Sequence, residues 1–210
     1  MAAFCVSFRE SICWLPGEAS EPTQTVVLTG LKSGVFLDVR FEKTSGKLDW
    51  AFAGYRSSAG PNVAKFTHHI DSRTLNPLDV MDLGQNTPLP NGMTMETGEM
   101  VNPATGMVEA YEEMWREKEC HDGVFVRNVT SSVWRARVGT MQLALGRTPG
   151  PKCDFWAWQA KKSGEGWVVG YATPGLDAEV ADYFLPEDCS GWQAGSTVEW
   201  RGETWVVLEN

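Results

Sequence analysis

Large apolar side chains recur at every second position over short runs of this chain. Leu48, Trp50, Phe52 and Gly54 make one such run, and Met107, Tyr111 and Trp115 fall in step in another. A period of two places alternate residues on one face of a β-strand. Segments with this character lie at 24–29, 35–42, 47–54, 62–71, 93–100 and 107–116. A second series lies at 124–128, 132–138, 140–145, 154–161, 166–172, 197–201 and 204–208. Between them stand turn signals such as Thr44-Ser45-Gly46, Asn91-Gly92, Asn102-Pro103-Ala104-Thr105-Gly106 and Arg201-Gly202. These residues tolerate the positive φ or fixed φ that a reversal needs.

Evenly spaced short strands with such turns predict an all-β protein of antiparallel barrels or sandwiches. One short helix is expected over 176–184, after Pro174-Gly175 and with Asp177 and Glu179 near its start. The polar stretch 117–122 divides six strands from seven. The expected organisation is therefore two small barrels, residues 1–119 and 120–210. Residues 75–89 lack a clear strand pattern and read as a loop, either covering a site or simply connecting strands.

Composition narrows the function. The 210 residues carry a formal charge of −9, which argues against a phosphate-binding surface. Residues 121–172 hold 7 basic and 3 acidic side chains, among them Arg127, Arg135, Arg137 and Arg147. Interleaved aromatics there would suit single-stranded nucleic acid, but on an acidic chain a solvated strand face accounts for them. No nucleic-acid partner is expected. No run approaches the length of a membrane span, so no membrane partner is expected either. The N-terminus lacks the pattern of a signal peptide. Five scattered cysteines form no C-x-x-C pair, which indicates reduced thiols and a cytoplasmic protein.

Several segments carry a resemblance to a known family. They are Trp50-Ala51-Phe52-Ala53-Gly54, Phe66-Thr67-His68-His69-Ile70-Asp71-Ser72, Met95-Glu96-Thr97-Gly98, Asn102-Pro103-Ala104-Thr105-Gly106 and Glu109-Ala110-Tyr111-Glu112-Glu113-Met114-Trp115-Arg116. In this order they resemble the Hri-one family of fungi, small proteins of two lipocalin-like β-barrels. The resemblance is carried mainly by residues 35–117. It implies the fold, and it implies either of two functions. One is a non-catalytic carrier or interaction adaptor, like the family's yeast member, a partner of a casein kinase. The other is a cofactor-free enzyme of fungal secondary metabolism, of the branch that couples a tropolone quinone methide to a cyclic terpene by hetero-Diels–Alder reaction.

The candidate chemistry follows from residue types. Ten tryptophans suit the walls of a pocket for a hydrophobic small molecule as well as a core. Trp50, Phe52, Tyr111, Trp115 and Trp134 are the candidate substrate-binding residues. His68 and His69 point to opposite faces of a regular strand, so they cannot chelate one metal together, and no metal or cofactor is expected. One of them faces a barrel interior as a hydrogen-bond donor or general base, or as a satisfied core histidine. Under strict alternation His69 shares a face with Asp71, which would orient its ring. Arg73 and Arg116 are the further candidate donors. Glu109 and Glu113 share a face, but stand too far apart on one strand for paired carboxylate chemistry. An Arg116–carboxylate pair or a solvated face accounts for them. No nucleophile elbow and no phosphate-binding glycine loop occurs. A homodimer is compatible with this reading.

Overall fold

The computed structural model describes residues 3–149, 153–164, 166–176 and 183–210. The first half is a closed antiparallel barrel of eight strands in chain order. They are β1 (Phe4–Trp14), β2 (Thr23–Gly30), β3 (Val35–Glu42), β4 (Leu48–Gly60), β5 (Val63–Asp71), β6 (Asp82–Pro88), β7 (Thr94–Val101) and β8 (Val108–Cys120). A 3-10 turn at Pro77–Asp79 joins β5 to β6, and β1 pairs with β8 to close the ring.

The second half comprises β9 (Gly123–Asn128), β10 (Val133–Val138), β11 (Met141–Arg147), β12 (Phe155–Ser163), β13 (Gly166–Ala172), β14 (Thr197–Trp200) and β15 (Glu203–Glu209). These form one seven-stranded sheet in the order β13-β12-β11-β10-β9-β15-β14. Where a second barrel was expected, the pairing is thus that of a sheet with β13 and β14 at its edges, among the described residues. The helix expected over 176–184 falls mostly on 177–182, outside the described residues. Among the described residues, no helix is long and apolar enough to cross a membrane.

Two barrel strands, β1 and β6, escape the sequence reading. In β1 the apolar Phe4, Val6 and Phe8 alternate with Cys5, Ser7 and Arg9, and a register shift between Arg9 and Ser11 breaks the period. β6, Asp-Leu-Gly-Gln-Asn-Thr-Pro, is polar and mostly exposed. Its strand character comes from pairing to β5 and β7.

The barrel turns its apolar face outward. Val26, Leu28, Leu37, Val39, Ala51 and Ala53 pack with Phe125, Trp134, Ala136, Leu143, Leu145 and Ala157 in one continuous buried cluster. The other parity points into the barrel: Asp38 and Arg40 on β3 stand beside Phe52 and Trp50 on β4. Polar ties join barrel to sheet. Gln159 Nε2 donates to the carbonyls of Gln24 and Val39, at 2.9 and 2.7 Å. Arg147 Nη2 donates to the carbonyls of Asp71 and Thr74. The Glu209 carboxylate accepts from the backbone and hydroxyl of Ser33 in the β2–β3 turn.

One irregularity sets up the site. The β4–β5 register shifts so that Ala53 faces Ile70 and Gly54 faces His68, which leaves His69 as the extra residue of a bulge. Gly54 permits it, since a Cβ there would lie 1.9 Å from the Thr67 carbonyl oxygen.

Candidate functional site

The barrel encloses a cavity of about 500 Å³. One wall is aromatic: Phe36, Trp50, Phe52, Phe66 and Trp115 all line it. Phe36 meets Phe52 and Phe66 edge-on, with ring centres 5.7 and 5.3 Å apart. Arg40 lies over Trp50 at 4.9 Å and Arg73 lies over the same indole at 4.4 Å. Two guanidiniums on Trp50 hold it by cation–π attraction.

The opposite character comes from inward-facing charges. Arg9 bonds Glu113 at 2.5 Å and Glu21 at 2.8 Å. Arg40 grips Asp38 through two nitrogens, at 2.7 and 3.0 Å, and reaches Glu113 at 3.5 Å. Burial works against the Arg40 charge, but Asp38 and Glu113 outweigh it and hold the guanidinium firmly protonated. Asp38, Arg40 and Glu113 are all buried. Such charges survive out of water because each is paired and hydrogen-bonded.

Glu96 differs. It accepts a hydrogen bond from Tyr111 at 3.2 Å, and among the described residues no ion pair contains it. Burial, then the neighbouring Glu113 and Asp82 carboxylates, push its carboxyl up to about 8. The same burial, followed by the proximity of Glu96, drives the Tyr111 phenol well above its ordinary range. Both groups are therefore neutral near pH 7, with the phenol proton given to Glu96. The buried Trp115 Nε1 also faces no acceptor.

Behind the aromatic wall, fully buried His68 stacks on Phe52 with ring centres 4.2 Å apart. Its Nδ1 lies 2.8 Å from Asp71 and its Nε2 lies 3.0 Å from Asp82. Asp71 also accepts from Trp50 Nε1 and the Arg73 backbone. Burial opposes a charge on His68, but the two carboxylates win and raise its pKa. With both ring nitrogens committed to carboxylates, His68 is an imidazolium that braces the wall, with no free nitrogen for a ligand's proton.

Of the nine candidate residues, Trp50, Phe52, Tyr111 and Trp115 line the cavity. The other five do not. The bulge at His69 makes His68, not His69, the neighbour of Asp71. His69 instead points outward and meets Tyr55 and Trp134 edge-on. Trp134 is fully buried in the core between barrel and sheet. Arg73 lies over Trp50 and pairs with Asp49 at 3.2 Å. Arg116 is exposed, stacked over Phe8 and paired with Glu10. Of the glutamates expected to pair with Arg116 or to face solvent, Glu113 is held by Arg9 and Arg40, and Glu109 by Asn102 and Thr105.

Arg9, Asp38, Arg40, Asp82 and Glu96 went unnoticed in the sequence. The one signal was Asp38 and Arg40 alternating with Leu37, Val39 and Phe41, which on an open sheet means a solvent face. No group of three or more His, Cys, Asp or Glu suited to a metal occurs among the described residues.

No curated protein matches the chain. The crystal structure of an uncharacterized protein, YLR301w from Saccharomyces cerevisiae, superposes with a TM-score of 0.73 at 15% identity, covering 99% of this chain and 98% of that one. At that identity the likeness concerns the fold. The family model described as Protein HRI1 matches residues 5–209. On a match of that extent, the chain belongs to the HRI1 family.

Proposed function

We propose that the barrel is a cofactor-independent enzyme of fungal secondary metabolism that holds hydrophobic, ring-bearing substrates and catalyses their cycloaddition or cyclisation. The substrate pair suggested by the resemblance is a tropolone quinone methide and a cyclic terpene, joined by hetero-Diels–Alder reaction. The observation that carries this reading is the cavity itself. Its aromatic wall suits flat or cyclic hydrocarbon, and beside that wall stands Glu96, which keeps its proton near neutral pH.

A pericyclic step needs two partners held close in a reactive orientation. Confinement supplies this by removing translational freedom in advance, an effect worth up to several kcal/mol, roughly 7–11 in well-oriented cases. A donor on the heterodiene oxygen stabilises charge that develops as the new bonds form. Glu96 lines the cavity, keeps its proton near neutral pH and suits that role, since the one Tyr111 proton is already given to Glu96. Phe36, Phe52 and Phe66 would pack the hydrocarbon partner.

The test is titration of the protein with tropolones and cyclic terpenes, followed by incubation with the reactive precursors and chiral analysis of the products. Saturable binding with a stereochemically biased product supports the reading. Glu96→Leu keeps much of the bulk, loses the donor, and should slow turnover by roughly 100-fold. Binding without acceleration over the uncatalysed coupling would overturn catalysis and leave a carrier.

A further inference from the structure

The cavity holds more negative than positive charge. Glu96 on β7 and Glu113 on β8 are direct cross-strand partners, and both line the cavity. Like charges so placed destabilise a sheet unless something offsets them. Glu113 has Arg9 and Arg40, and Asp71 and Asp82 share His68. Glu96 has a neutral phenol. Glu117 and Glu119 also line the cavity, with Arg56 as the added cation.

The fold makes room for this uncompensated acid. A Cβ on Gly84 would lie 2.4 Å from the Glu96 carboxyl carbon, and one on Gly98 would lie 2.8 Å from the Tyr111 hydroxyl. Trp115, only 8% exposed, adds its indole to the lining of the same cavity, with Trp50 and Phe52, and aromatic faces attract a cation.

We infer that the cavity takes an organic cation: an aromatic or apolar body that carries a protonated amine beside Glu96. The inference rests on reading the cavity as a small-molecule site, not on the proposed reaction. A neutral tropolone or terpene leaves the charge imbalance in place. An ammonium offsets it and lets Glu96 ionise, with its proton passing to solvent. The charged and titratable groups facing Glu96 are Glu113 and Tyr111 from β8, Asp82 from β6 and Arg40 from β3. Asp38 and Glu113 already claim Arg40 and His68 already claims Asp82, so Glu96 is the carboxylate left for a ligand.

The experiment is calorimetric titration of the whole protein with tryptamine and with tryptophol, which share an indole and differ in an ammonium against a hydroxyl. Tryptamine should bind about tenfold or more tightly than tryptophol, as a charged hydrogen-bonded contact implies. Near neutral pH the heats in buffers of different ionisation enthalpy should show proton release. Glu96→Gln, verified as folded by its melting curve, should abolish both the preference and the proton release. Equal or tighter binding of tryptophol overturns the inference, and so does a preference that survives Glu96→Gln. If tropolones or terpenes bind and tryptamine does not, the inference fails while the proposed function stands. If none of them binds, both fail.

Discussion

Glu96 and Glu113 face each other across neighbouring strands inside the barrel, yet only Glu113 is met by arginines. The native state therefore keeps a proton on Glu96 up to about pH 8, whereas the unfolded chain releases it near the ordinary 4.5. Between those values the folded state binds more protons, so stability falls as pH rises through this window. Glu96→Gln removes the dependence. The variant should match the parent near about pH 4 and exceed it by on the order of a few kcal/mol above about pH 8. Urea denaturation at several pH values measures the difference.

His68 bridges β5 to β6 through Asp71 and Asp82. Its raised pKa means that its stabilising contribution is complete below the ordinary 6.5 and is lost as pH climbs through the higher folded value. Proton NMR of the imidazole should show titration above 6.5 in the parent, and a fall on Asp82→Asn. His68→Leu, which strands two carboxylates, should cost on the order of 3 kcal/mol in a denaturant melt.

Arg135 sits under the outer layer of the sheet, 4% exposed, with no ion pair among the described residues. Its guanidinium lies 5.1 to 5.8 Å from the rings of Trp156, Tyr183, Trp200 and Trp205, and Nη1 donates to the Tyr183 carbonyl. A planar, weakly hydrated cation suits this setting; an ammonium does not. Arg135→Lys should lower stability by about 1–3 kcal/mol, read by thermal or urea unfolding, and should leave ligand binding in the barrel unchanged.

Gln159 spans the two halves with both hydrogen bonds from one amide nitrogen. Gln159→Leu leaves the carbonyls of Gln24 and Val39 without that donor at a buried junction. A loss of about 1–3 kcal/mol is expected in equilibrium unfolding.

The strand pattern was legible because the outward face of the barrel and the inner face of the sheet are apolar, as in Val35–Glu42 and Val133–Val138. The site was less so. Its acids and arginines occupy the parity that normally faces solvent, and only closure of the ring, invisible in any one strand, turns Asp38 and Arg40 inward. The histidine pair was misassigned for a local reason. Alternation places His69 with Asp71, but a single bulged residue reverses the parity and hands Asp71 to His68. Trp134 shows the limit of counting indoles: its environment depends on which sheet lies opposite, and composition does not carry that.

The strand order of the sheet has a consequence in time. β15 is the last strand in the chain, yet it lies between β9 and β14. During synthesis β9 emerges early and can pair with β10, but its other edge waits for β15. Roughly 75 residues separate Asn128 from Glu203, which at ribosomal speeds of about 5–20 residues per second is a delay of about 4–15 s. For that interval the nascent protein presents an open, valine-rich strand edge, of the kind that invites pairing with other chains. Crowded translation, rather than heat, would then be the condition under which this protein is most exposed to misassembly.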